Sequence, residues 1–170
     1  MERKGIVTFA GNPLSLVGSE VKVGDKAPAF TVLEKDLSPV SLADFAGKVK
    51  LVSVTPSLDT PVCELQAKKF NNDAQTLPAD VVVINISMDL PFAIARFSSG
   101  AGIDKIRTLS DYRDASFGNA YGVLIKELRL LSRSIFVIDK ADIIRYIEVV
   151  PEITNQPDYD AALAAAKKLA

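Results

Sequence analysis

Apolar and polar positions in this chain form short blocks whose period changes along its length. Residues 6–9 and 14–17 are apolar-rich and flank Gly11-Asn12-Pro13, which predicts an N-terminal β-hairpin. Residues 30–33 read as a short strand. Ser41 suits the N-cap of a turn over Leu42-Ala43-Asp44-Phe45 that Gly47 ends. Residues 49–54 form a strand that runs into Thr55-Pro56-Ser57-Leu58-Asp59-Thr60-Pro61. Beyond it, Val62, Leu65, Gln66, Lys69 and Phe70 keep a three-to-four spacing, the mark of a helix. Pro61 fits the first turn, Thr60 the capping position, and Cys63 then falls inside that first turn.

Residues 80–87 contain the apolar run Val81-Val82-Val83-Ile84, which fits a strand covered on both faces. Residues 90–98 read as a helix with Pro91 in its first turn, 106–109 as a strand, and 115–121 as a short helix ended by Gly122. Residues 134–139 and 143–149 predict two antiparallel strands joined at Asp139-Lys140-Ala141-Asp142. Residues 158–169 predict a closing amphipathic helix with Tyr159, Leu163, Ala166 and Leu169 on one face. Strands alternating with helices, followed by an antiparallel pair, predict an α/β fold with a mixed central sheet between helical layers. There are no internal repeats, low-complexity tracts or long linkers, so residues 1–170 are expected to form a single domain.

Composition narrows the chemistry. The net charge of -1 gives no reason to expect attraction to nucleic acid or membranes. No apolar run reaches the ~18 residues of a membrane span. The basic residues near Met1 have no apolar stretch behind them, so no signal peptide is expected and the cytoplasm is the default location. There is one cysteine and no histidine. These counts exclude an intramolecular disulfide, a Ser-His-Asp triad, a Cys-His dyad and a His-rich or four-cysteine zinc site. If Cys63 is a nucleophile, something other than imidazole activates it.

A lone cysteine is more often an inert core residue than a reactive one. The position of Cys63 changes that weighting. The first turn of a helix carries unpaired N–H groups and the positive end of the helix dipole, which favour the thiolate, the reactive form. Thr60, three residues earlier, is either a plain N-cap or a hydroxyl that reaches the sulfur or its substrate, and one hydroxyl can do both. Pro56 either ends the strand or walls off the sulfur with a residue that has no N–H.

The string Pro56-Ser57-Leu58-Asp59-Thr60-Pro61-Val62-Cys63 resembles the P-x-x-x-T-x-x-C motif of peroxiredoxins, and its longer form is similar to the bacterial thiol peroxidase subfamily. Further matches run through the chain: Phe9-Ala10-Gly11-Asn12-Pro13, Asp89-Leu90-Pro91-Phe92-Ala93, Arg96-Phe97, Asp111-Tyr112-Arg113, Arg133-Ser134-Ile135-Phe136, and Glu152-Ile153-Thr154. The resemblance implies a thioredoxin-like fold and a peroxidase acting on hydrogen peroxide and alkyl hydroperoxides. It makes Cys63 the peroxidatic cysteine, Thr60 its hydroxyl partner, Pro56 the shield and Arg133 the guanidinium that stabilises the thiolate and orients peroxide. Without the resemblance, Arg133 reads as a solvated strand end. Thioredoxin or another thiol is the implied reductant, a homodimer the implied assembly, and no cofactor or metal is implied. Leu58, Val62 and Phe92, near the motif, would favour alkyl substrates.

One position departs from the pattern. The subfamily carries a second, resolving cysteine after Arg-Phe, and here that place is Ser98. Serine cannot form a disulfide, so the intramolecular second step of the cycle is closed. Two origins fit: an engineered Cys→Ser change, or a natural one-cysteine enzyme resolved by an external thiol. A sulfenic acid left without a resolving thiol is open to over-oxidation. The competing reading is a non-enzymatic redox-sensing or binding module, which needs a reactive thiol but not Pro56, Thr60 and Arg133 together. A disulfide reductase needs C-x-x-C, and this chain has Thr60-Pro61-Val62-Cys63 there.

Overall fold

The computed structural model describes residues 1–170. Strands β1 (Glu2–Phe9) and β2 (Asn12–Val17) form the expected hairpin. Its turn lies at Ala10-Gly11, one step earlier than the Gly11-Asn12-Pro13 expected from sequence, with φ of 48° and 82°. Two successive positive φ angles give the turn a twist that matches the strands, and glycine carries one of them without strain. Pro13 therefore sits inside β2, opposite Thr8.

The main sheet is built from β3 (Thr31–Leu33), β4 (Pro39–Ser41), β5 (Val49–Val54), β6 (Val81–Ser87), β7 (Arg107–Ser110), β9 (Ser134–Ile138) and β10 (Ile144–Val149). Their spatial order is β10-β9-β5-β6-β7-β3-β4. Strands β5, β6 and β7 are parallel, while β9 runs antiparallel to β5 and β10 antiparallel to β9. A two-residue strand β8 (Leu124–Ile125) joins the hairpin to make a second sheet, β1-β2-β8. Strands β4 and β8 were not expected from sequence. Each is too short to show a period and exists through its partner strand.

Helices α1 (Pro61–Ala74), α2 (Pro91–Ala101), α3 (Ser116–Ala120) and α4 (Tyr159–Leu169) complete the fold, with one 3-10 turn at Leu42–Phe45. Ser41 caps that turn in a reciprocal arrangement with Asp44. Strand β5 is buried along its whole length, and its alternation divides the core in two. Val49 and Leu51 pack with Phe70 of α1, Ile94 of α2 and Leu163 of α4. Val52 and Val54 pack on the other face with Phe30, Phe117, Tyr121 and Phe136. The α4 face is close to expectation: Leu163 and Ala166 are buried, as is Ala162.

Helix α1 departs from its expected face. Cys63, Gln66, Ala67, Phe70 and Asn71 are buried, whereas Leu65 is 52% exposed and Lys69 faces solvent. A stripe containing glutamine and asparagine is buried because each finds partners inside, as the site shows.

Candidate active site

The strand–turn–helix from β5 to α1 places Cys63 at the third helical position. Only Glu64 N–H begins the intrahelical ladder, donating to Thr60 O at 2.9 Å, so the amides of Val62 and Cys63 lie ahead of it. The turn before the helix is fastened by Asp89 at the end of β6. Its carboxylate accepts from Ser57 Oγ at 2.7 Å, Leu58 N at 2.7 Å and Ser87 Oγ at 2.8 Å. Thr60 does not cap α1 with its side chain: its hydroxyl donates to Ser57 O at 2.8 Å. The hydroxyl oxygen keeps lone pairs for another donor.

Antiparallel pairing of β9 with β5 sets Ser134 opposite Val54, so Arg133 enters beside the start of α1. Arg133 is 2% exposed, not a solvated strand end. Its Nη2 donates to Cys63 Sγ at 3.3 Å, its Nη1 to Gln66 Oε1 at 2.8 Å and its Nε to the Ile153 carbonyl at 2.9 Å. It forms no ion pair with any carboxylate. Gln66 in turn donates to Ser53 Oγ at 2.7 Å, and Ser53 also accepts from Asn85 Nδ2 at 3.4 Å. This fully buried polar row fixes the guanidinium plane from behind.

Cys63 has no exposed surface, yet it borders a cavity of roughly 470 Å³. Pro56, Thr60 and Arg133 share that lining with Phe9, Leu128, Leu130 and Ile153. The structure thus brings together four of the five residues singled out by sequence. Ser98 is not among the cavity residues. It is buried in α2, with its hydroxyl 3.1 Å from that of Thr108 on β7. Of the apolar residues near the motif, Val62 lines the cavity, but Leu58 and Phe92 line a separate groove beside it. Sequence reading missed Gln66, Asp89 and the Ile153 carbonyl as site components. Gln66 carried a signal, since it stands three residues after Cys63 on the same helix face.

A buried thiol at a helix start, faced by a guanidinium without a carboxylate under an open cavity, on a sheet of this topology, defines a thioredoxin-like domain with one cysteine at its candidate site. Comparison with known proteins carries this further. The Redoxin family profile matches residues 22–163. A thiol peroxidase of Halalkalibacterium halodurans is 58% identical over 161 residues, covering 95% of this chain and 96% of the relative. A thiol peroxidase of Bacillus subtilis is 56% identical over 163 residues, covering 96% and 97%. The crystal structure of a peroxiredoxin-like protein from Aquifex aeolicus superposes with a TM-score of 0.92 at 42% identity, covering 99% and 98% of the two chains. The chain belongs to the redoxin family, on its thiol peroxidase branch.

Proposed function

We propose that Cys63 is the peroxidatic residue, with Arg133, Thr60 and Pro56 as its partners, in a chain whose activity is thiol-dependent peroxide reduction. The observation that carries the residue assignment is the 3.3 Å contact from Arg133 Nη2 to Cys63 Sγ at the base of the cavity. A buried guanidinium without a carboxylate is free to stabilise the negative charge that develops as the O–O bond breaks. The thiolate attacks the terminal peroxide oxygen, the O–O bond breaks, and the leaving alkoxide or hydroxide takes a proton. Cys63 is left as the sulfenic acid. Arg133 and the first-turn amides stabilise charge as it moves from sulfur to oxygen, and Thr60 orients the peroxide. Pro56 closes one wall without adding an N–H. The apolar lining from Phe9, Val62, Leu128, Leu130 and Ile153 supports alkyl hydroperoxides as substrates beside hydrogen peroxide.

Residues 1–170 act as one domain in this reading, in the cytoplasm, where thiol reductants such as thioredoxin are maintained. No helix is long and apolar enough to cross a membrane. Phe92 is 67% exposed and Leu90 is also exposed, beside the groove bordered by Ser57, Leu58 and Asp59. That apolar surface next to the site supports a homodimer, to be measured by sedimentation of the protein and of Phe92→Asp.

The deciding experiment is intact mass of the reduced protein after about one equivalent of peroxide with a sulfenic-acid trap present, beside Cys63→Ser. A rapid adduct on Cys63 alone is expected, and a thiol no faster than free cysteine overturns the assignment. Ser98 stands in the resolving position, so turnover with thioredoxin is expected to be weak. Ser98→Cys is expected to raise it at least tenfold, and strong turnover without that change removes Ser98 as the block.

A further inference from the structure

The cavity beside Cys63 is built from segments far apart in the chain, and one carboxylate joins two of them. Phe9 at the tip of the hairpin supplies one wall, and Ile153 and Thr154 supply the next. Glu152 lies between them and divides its oxygens. Its Oε1 accepts from Gly11 N at 2.8 Å and Thr8 Oγ1 at 2.9 Å. Its Oε2 accepts from Thr154 N at 2.9 Å and Thr154 Oγ1 at 2.7 Å. The backbone adds to the junction: Thr8 N donates to Pro151 O at 2.7 Å, and Ile153 N donates to Thr8 O at 3.0 Å. Beneath it, Ile153 packs with Val7, Leu14 and Leu16 of the hairpin.

We propose that Glu152 is a positioning residue for substrate selection: by clamping the hairpin tip to the 153–154 turn, it holds Phe9 as an apolar wall for bulky hydroperoxides. The inference rests on the peroxidase reading above. Four donors converge on two oxygens, which a carboxylate accepts and an amide cannot, because the amide turns a donor toward one of the two segments. These donors hold the Glu152 carboxyl down at about 2, so the clamp is charged at every pH where the protein works. Hydrogen peroxide is too small to need the Phe9 wall. Arg133 is anchored on the Ile153 carbonyl of the same turn, but the backbone bonds between Thr8 and residues 151 and 153 still hold that carbonyl when the side-chain clamp loosens, and Arg133 keeps its hold on Gln66. Glu152 therefore acts on the choice between peroxides rather than on the attack itself.

The test is single-turnover oxidation of Cys63, followed by rapid quench and mass, with hydrogen peroxide and with cumene hydroperoxide. In Glu152→Gln the cumene hydroperoxide rate constant is expected to fall about tenfold, the size of one lost apolar contact. The hydrogen peroxide constant is expected to change less than about twofold. Phe9→Ala is expected to show the same loss of preference, and the double variant no further loss, because the two act through one wall. An unchanged preference in folded Glu152→Gln, or losses that multiply in the double variant, overturns the clamp. A wild-type Cys63 no faster than a free thiol with either peroxide overturns the peroxidase reading instead.

Discussion

Strands β5 and β9 bury a cation at each end of their shared ladder, and the two are treated in opposite ways. Lys50, with no exposed surface, ion-pairs with Asp142 and donates to the Asp139 carbonyl at 3.1 Å. Arg133 has only neutral acceptors from Gln66 and Ile153, and the one ionisable group it touches is Cys63. A buried charge is costly unless compensated. At the Lys50 end the compensation is permanent and the result is structure. At the Arg133 end no anion is built in, and in the proposed function that is what serves the reaction at Cys63.

The largest effect that sharpens this contrast is expected from Arg133→Met. Cys63 oxidation by peroxide, followed by quench and mass, should slow about 10³-fold. The stability gained by removing a buried charge is offset by the acceptors of Gln66 and Ile153 left without a donor, so the fold survives with a modest loss. Arg133→Lys should not restore the rate, since a point charge cannot serve Gln66, Ile153 and sulfur at once. An active Arg133→Met would break the comparison outright. Next comes Asp142→Asn, which strands the Lys50 charge and should cost about 2 kcal/mol in denaturant unfolding. That is below the usual range for a buried pair because the Asp142 side chain is 31% exposed. Its peroxide rate constant should be unchanged, and a fall in rate would show that the two ends communicate.

The smallest effect concerns a third buried charge, an anion with no cation. Asp111 is 2% exposed and accepts from Phe117 N and Gly118 N at 3.0 and 2.8 Å. Burial raises its carboxyl to about 6, against the lowering pull of those amides. The folded protein therefore holds this proton over the interval from the ordinary aspartate value of 3.8 up to about 6, where the unfolded chain has released it. The stabilisation is complete below that interval and is lost as pH rises through it. Relative to Asp111→Asn, wild type should gain about 1 kcal/mol on going from pH 7 to pH 5. A flat difference across that range would show that the α3 amides compensate the charge fully.

Much of the fold was legible because its elements carry strong local signals. Val49–Val54 is apolar at four of its six positions, and Pro61 marks the start of α1. What local pattern missed is what long-range pairing decides. Strand β8 exists only because Leu16 and Val17 meet it. The stripe expected on α1 held for Gln66 and Phe70 but not for Leu65 and Lys69, because the buried polar partners Ser53 and Arg133 turn the Gln66 side of the helix inward and leave Leu65 facing out. Arg133 was found through family resemblance alone, since its own neighbours in sequence say nothing of a sulfur 70 positions away. Asp89 and Glu152 fell within strings that resemble the subfamily but drew no role, because each acts by joining hydroxyls and backbone amides of segments far apart in the chain.

The path of the chain also sets when the thiol becomes hazardous. Cys63 is made early, but its guanidinium arrives with β9, and the carbonyl that anchors that guanidinium comes only at Ile153. On the ribosome, Cys63 lacks these partners until the late segments emerge and dock. Under the proposed role, sensitivity to oxidant is thus a property acquired at the end of folding, which spares the growing chain the chemistry the finished one performs.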